Sequence, residues 1–267
     1  MPLLHLVILA LIQGVTEFLP ISSSGHLALY PLLTGVADQG LALDVSVHIG
    51  TLAAVMLYFR ADVGAAARGG FRLLRGDAKT PDAALALMLI VATIPAVLVG
   101  GLLSALGATE ALRSLSVIAW ATLIGGALLW LADRYGAQRL DAGQWRLRDA
   151  LLLGLVQIAA LIPGMSRSGV TITGARALGY RRPDAARISM LMSIPVIIAA
   201  GCLVGLELAQ SGDPALTTDA ALAAFLSFLA ALAAIALFMK MLQTWSMTVF
   251  VLYRFALGAA LLMIVYG

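Results

Sequence analysis

Apolar residues dominate the chain over 41–59, 84–106, 113–132, 185–206, 219–239 and 247–266, with short charged loops between these stretches. A helix needs roughly 20 predominantly apolar residues to cross the hydrocarbon of a bilayer, so each stretch predicts one span and most of this chain has lipid as its solvent. Inside lipid, backbone N–H and C=O groups have no water to bond, which restricts spanning structures to helices and closed barrels. Stretches of this length predict an all-α polytopic membrane protein with six full spans. The residues are 61% hydrophobic and 12% charged, against about 25% charged in an ordinary soluble domain. No length is left for a separate soluble domain, and 1–267 reads as a single integral membrane domain.

Two further apolar pairs, 3–18 with 25–35 and 148–162 with 169–179, are each interrupted by Pro, Gly and Ser. Each half is too short to cross alone, so both pairs are expected to be re-entrant helical hairpins. The first segment is not a leader by pattern: it lacks a basic start, contains Glu17, and runs into Pro20 and serines instead of a small-residue cleavage site. The single cysteine, Cys202, excludes an internal disulfide and a multi-cysteine metal site. It reads as a small buried apolar residue.

The formal charge of +3 does not indicate nucleic acid, because the basic residues cluster in loops between spans and report topology. With the N-terminus outside, the loop 60–82 carrying Arg60, Arg68, Arg72, Arg75 and Lys79 is internal. So are 133–149, with Arg134, Arg139, Arg146 and Arg148, the Arg181, Arg182 and Arg187 group, and Lys240. The external side receives Asp38, Glu110 with Arg113 beside it, Glu207, Asp213 and Asp219. This distribution obeys the positive-inside rule.

An internal repeat runs through the same frame. Leu11-Ile12-Gln13 followed by Ser22, Ser24 and Gly25 recurs, at a constant offset, as Leu155-Val156-Gln157 followed by Ser166, Ser168 and Gly169. Each half, about 1–132 and 148–267, is then one broken hairpin plus three spans. Because three is odd, the second half enters the membrane upside down, which makes an inverted-topology repeat. The hairpins dip from opposite faces, so their tips are expected to meet near the midplane.

A broken helix persists in lipid only where the break is buried in protein or lines a wet cavity, so each break marks a site. Ser22, Ser23 and Ser24 at one break, and Ser166 and Ser168 at the other, are placed to cap the helix that follows. That directs free N–H groups and the positive end of the helix dipole at an anion. Gly25, Gly164 and Gly169 allow close backbone approach, and Arg167 adds a planar charged fork that matches phosphate oxygens. Glu17, an ionisable residue in an apolar segment, needs a partner or water, with Gln13 one helical turn before it on the same face.

Chemistry offers Glu17 as a metal or proton site, Ser23 as nucleophile, His26 as general base or acid, and Arg167 as phosphate clamp. Ser166 and Thr171 are further hydroxyls near phosphate, though Thr171 equally suits a bond back onto its own helix. His48 and Asp44 share one face of the next span and either support the site or sit at its mouth. Arg254 is expected to pair within the bundle or to reach an interface.

The stretches Gln13-Gly14-Val15-Thr16-Glu17-Phe18-Leu19-Pro20-Ile21-Ser22-Ser23-Ser24-Gly25-His26 and Pro163-Gly164-Met165-Ser166-Arg167-Ser168-Gly169-Val170-Thr171 resemble the two signature motifs of the bacterial undecaprenyl-diphosphate phosphatases of the bacitracin-resistance type. Asp44-Val45-Ser46-Val47-His48-Ile49-Gly50-Thr51 and Ser189-Met190-Leu191-Met192-Ser193-Ile194-Pro195 resemble further family segments. The resemblance implies removal of the terminal phosphate from an isoprenoid lipid diphosphate in the bacterial inner membrane. It also implies a divalent cation, Mg²⁺ or Ca²⁺, and a site open to the periplasmic face. By position it assigns the acidic pair to Gln13 and Glu17, the nucleophilic serine to Ser23, the histidine to His26 and the essential arginine to Arg167. Gln13 stands where the family commonly has Glu, which removes one carboxylate from the metal site. A homodimer is allowed and the oligomeric state stays open.

Two other classes compete. A secondary transporter or lipid flippase shares the architecture of paired broken helices. A second superfamily of membrane phosphatases has similar motifs, but no histidine follows Arg167 to serve as its nucleophile.

Overall fold

The computed structural model describes residues 3–35, 40–108, 111–211 and 214–267. Asp38, Glu110 and Asp213, and the side chains of Cys202 and Glu207, on which parts of the topology reading rest, lie outside the described set. Among the described residues eleven α-helices follow one another: α1 (Leu3–Thr16), α2 (Ser23–Thr34), α3 (Leu41–Tyr58), α4 (Arg60–Leu74), α5 (Pro81–Ala105), α6 (Leu115–Tyr135), α7 (Leu147–Gln157), α8 (Arg167–Ala177), α9 (Arg182–Ser211), α10 (Pro214–Met241) and α11 (Thr248–Tyr266). Among the described residues the only extended pairing is an isolated bridge between Leu140 and Tyr180.

Among the described residues four helices, α5, α6, α10 and α11, are long and apolar enough to cross a membrane, and α3 with α4 makes a fifth candidate as a bent pair. Their outward surfaces carry large apolar side chains, among them Leu98, Leu252 and Met263, each more than 60% exposed. For a chain in lipid that exposure is the expected solvation. The protein is a multi-pass all-α membrane protein. The two interrupted pairs fold as short helices on either side of a break: α1 and α2 around 17–22, and α7 and α8 around a 3-10 turn, Ile158–Leu161, and the residues after it.

Lipid tails are as apolar as the helices, so association rests on close backbone approach at small residues. α3 packs against α10 and α9, α1 against α10, and α11 against α6. At Gly50, on α3, an added Cβ would lie 2.1 Å from the carbonyl oxygen of Ala224 on α10. Gly14, on α1, meets Ala230 and Ser227 of α10 in the same way. Ser227 adds a hydrogen bond of 2.9 Å from its hydroxyl to the Val47 carbonyl. Gly50→Val is therefore expected to destabilise by about 1–3 kcal/mol through overpacking; a thermal unfolding midpoint equal to wild type in detergent would contradict this packing.

One stretch departs from expectation. The loop 60–82 is mostly helix: α4 leaves α3 at 93° through a hinge at Phe59. Arg182 and Arg187 are also more than topological markers. Arg187 forms a bidentate pair with Asp62, tying α9 to α4. Asp133, at the end of α6, accepts from Arg176 Nε at 2.9 Å, from Arg182 Nε at 2.8 Å and Nη2 at 3.0 Å, and from the Met247 N–H at 3.1 Å. Beside this knot Tyr180 donates to Asp149 at 2.7 Å. Burial pushes the Tyr180 phenol well above its ordinary range, so it remains a donor at any physiological pH.

Candidate functional site

The two breaks have the same local construction. Ser22 and Ser166 both adopt left-handed backbone conformations, with φ of 76° and 67°, uncommon for residues with a side chain. The Ser22 hydroxyl accepts from Gly25 N–H at 3.3 Å and that of Ser166 from Gly169 N–H at 3.1 Å, capping α2 and α8. In each case the hydroxyl two residues on joins in: Ser22 and Ser24 at 3.2 Å, Ser166 and Ser168 at 3.1 Å.

The breaks meet. Gly164 N–H donates to Ser24 Oγ at 3.4 Å, and Ser168 Oγ donates to the Leu19 carbonyl at 2.8 Å. The N-termini of α2 and α8 thereby open on one cleft of about 300 Å³. Its polar floor is Glu17, Ser23, Ser24, His48, Ser166 and Arg167, and its wall is Val45, Ala160, Val196, Ile197 and Gly201. An anion at the floor would face two helix N-termini and a guanidinium, while the wall suits a hydrocarbon chain.

Glu17 organises the floor. Its Oε1 accepts from Arg167 Nη2 at 2.8 Å, and its Oε2 from Ser23 Oγ at 2.9 Å and Gln13 Nε2 at 2.8 Å. His48 Nε2 stands 3.6 Å from the same Oε2. His48 is held by Nδ1, which contacts the Asp44 carbonyl at 2.7 Å, so that Nε2 is the nitrogen turned to the cleft. Arg167 also donates from Nη1 to the Ser189 carbonyl of α9 at 3.4 Å.

Not every expected residue lies on the cleft. His26 is engaged on both ring nitrogens, by the Ser22 carbonyl at 2.7 Å and by the Tyr253 hydroxyl at 2.5 Å, and its ring stacks on Tyr253. The group touching the Ser23 hydroxyl is Glu17, not His26. Thr171 takes the structural role, bonding back to the Arg167 carbonyl at 2.8 Å and pairing with Ser189 Oγ at 2.6 Å. Ser22 and Ser168 cap and cross-link the breaks. The room left at Gly164 is filled by the Ile118 carbonyl and that at Gly169 by Arg254, while at Gly25 an added Cβ would meet only the Ser22 and Ile118 side chains.

Arg254 is the residue whose role the sequence did not disclose. It is fully buried on α11 and, among the described residues, donates to backbone carbonyls alone: Pro20 at 3.3 Å from the first break, Gly164 and Met165 at 3.1 Å from the second, and Thr122 at 3.0 Å and Ala121 at 3.4 Å on α6. An added Cβ at Gly125 would lie 2.1 Å from its Nη2 and one at Gly169 2.6 Å from its Nη1, so glycines form the slot for the guanidinium. The legible signal was an arginine inside a span, which demands a buried acceptor. That the acceptors are the freed carbonyls of both breaks needs the fold.

No group of three or more His, Cys, Asp or Glu gathers among the described residues. The donors that fit a divalent cation are Glu17, the buried Oε1 of Gln13, which has no hydrogen-bond partner, and His48 Nε2. A set this small suits a cation that also binds substrate phosphate oxygens.

A family profile described as bacitracin resistance protein BacA matches residues 6–260. The chain is 58% identical to a protein of Ruegeria pomeroyi and 56% identical to one of Dinoroseobacter shibae, each alignment covering all of both chains. A protein of Maricaulis maris is 48% identical over 98% of each chain. All three carry the name undecaprenyl-diphosphatase.

Proposed function

The chain belongs to the bacitracin resistance protein BacA family, and from that premise we propose that it performs the reaction its relatives are named for. It is an undecaprenyl-diphosphatase, an enzyme that hydrolyses undecaprenyl diphosphate to undecaprenyl phosphate and inorganic phosphate and so recycles the lipid carrier of cell-wall synthesis. The observation that carries this reading is one carboxylate, Glu17, bonded at 2.9 Å to a hydroxyl from the first break and at 2.8 Å to a guanidinium from the second. A binding pocket needs no such nucleophile–base pair beside its anion clamp.

In the mechanism, the diphosphate headgroup occupies the floor and the isoprenyl chain runs along Val45, Val196 and Ile197. Arg167 transfers its fork from Glu17 to the terminal phosphate, where it and the N-termini of α2 and α8 meet the charge that develops on the equatorial oxygens. Ser23 Oγ attacks the terminal phosphorus in line, its proton passes to Glu17, and the bond to the bridging oxygen breaks, releasing undecaprenyl phosphate. Water then cleaves the phosphoserine. In the alternative form Ser23 orients a water that attacks directly, and the proton again goes to Glu17. Gln13, Glu17 and His48 would hold a divalent cation, Mg²⁺ or Ca²⁺, which supplies Lewis-acid neutralisation of the phosphate oxygens. His26 positions α2 against Tyr253 and reaches the phosphate only by exchanging that partner.

The matching serine breaks support an inverted repeat with six spans, α4 being the element without a counterpart. The charge distribution supports the bacterial inner membrane as its site, with the cleft opening toward the periplasmic face.

Purified protein in detergent is expected to release phosphate from a long isoprenyl diphosphate and to stop when a chelator is added. Glu17→Gln is expected to lower kcat/KM by about 10²–10⁴-fold, the range of one general-base contribution. An active Glu17→Gln would remove the base from this scheme. Phosphoserine trapped at Ser23 after an acid quench would decide between serine and water.

A further inference from the structure

α4 leaves α3 at 93° and packs along α5. In the inverted-repeat reading it is the helix of the first half without a counterpart in the second. Its inner face is fully used: Gly69 packs on the backbone at Asp82 of α5, and Asp62 pairs with Arg187 of α9. The outer face is divided lengthwise. Ala67, Phe71 and Leu74 share one flank, with Phe71 55% and Leu74 88% exposed, and Arg68, Arg72 and Arg75 share the flank beside it by their spacing of three and four.

The basic flank is concave. A groove of about 390 Å³ is lined by Arg68, Phe71, Arg72, Arg75 and Asp77. Arg68 is paired with Asp82 at 2.9 Å and Arg72 more loosely with Asp77 at 3.5 Å. Arg75 has no carboxylate partner among the described residues, and its guanidinium lies 4.1 Å from the centroid of the Phe71 ring. An apolar flank adjoining a cationic one, on a helix that turns sharply away from the span before it, is the arrangement of a helix lying in a membrane interface.

We infer that α4 is an interfacial helix whose Arg68–Arg72–Arg75 groove binds the headgroup of an anionic phospholipid while Phe71 and Leu74 enter the acyl region beside it. The charge fixes the headgroup's sign, and the exposed Phe71 and Leu74 select a lipid over free phosphate, which has nothing to bury them. The inference needs only that the protein spans a bilayer, so it stands apart from the reaction assigned to the cleft.

The test uses the full chain released from bilayers of mixed phosphatidylglycerol and phosphatidylcholine and analysed by native mass spectrometry. Wild type is expected to retain phosphatidylglycerol preferentially, and Arg68→Gln, Arg72→Gln and Arg75→Gln, made singly and together, to weaken retention roughly fivefold per arginine near the surface. Helicity by circular dichroism and phosphate release in detergent should match wild type. Independently of those variants, Phe71→Trp should fluoresce at short wavelength and be quenched by lipids brominated near the headgroup end of the chain. Equal retention by wild type and the triple variant overturns the inference, as does displacement of the lipid by inorganic phosphate, or a water-exposed, unquenched Trp at position 71.

Discussion

Replacing Arg167 by alanine is expected to lower kcat/KM for undecaprenyl diphosphate by about 10³-fold or more, the scale at which an arginine acts on phosphoryl transfer. Two losses combine. The terminal phosphate loses its planar donor, and Glu17 loses the partner that balances its charge in a low-dielectric cleft. Arg167→Lys keeps the charge without the fork and should recover only part of the rate. The effect belongs to the reaction more than to the fold, because Gln13 and Ser23 still donate to Glu17 in the variant. A steady-state rate within tenfold of wild type would exclude Arg167 from the transition state. A large fall in unfolding midpoint would assign it to the fold.

The second large effect is on stability. Arg254→Met keeps the volume but strands carbonyls at both breaks, and in a membrane interior no water replaces the lost donors. Each buried acceptor left unpaired costs about 1–3 kcal/mol, and several lose their donor together. A fall of about 10 °C or more in the unfolding midpoint follows, taking about 2–4 °C per kcal/mol for a chain of this size. Activity should vanish with it although Arg254 does not line the cleft. Arg254→Lys, with one nitrogen to share among five carbonyls, should lie between. A midpoint within 2–3 °C of wild type for Arg254→Met, on the same scale, would refute the fastening role.

What the sequence disclosed followed from local physics. Pro20 and Pro163, followed by serines inside apolar runs, must break their helices, so breaks between 18 and 25 and between 162 and 169 were legible; the helices end a few residues earlier, at Thr16 and Gln157. The convergence of Glu17, Ser23 and Arg167 was legible too, once an isolated carboxylate in lipid demanded a partner. Side-chain direction was not. His26 follows Ser23 by three residues, close enough to suggest a base, yet Tyr253, 227 residues later, turns its ring aside. His48 showed only a spacing shared with Asp44, and its approach to Glu17 depends on how α3 lies beside the first break. Segment 60–82 read as loop because its charges outweighed its periodicity, although the same residues on a helix divide into a packed face and an exposed one.

Arg254 also bears on how the cleft can open. A single side chain reaching Pro20, Met165 and α6 leaves the two broken segments no independent hinge, so mechanically they are one body with α6 and α11. Alternating access requires such segments to part on one side while closing on the other, and this fastening removes that degree of freedom. Val45 on α3 and Val196 and Ile197 on α9 wall the cleft beside that body. A substrate embedded in the bilayer would then meet Glu17, Ser23 and Arg167 on segments that keep their places relative to one another.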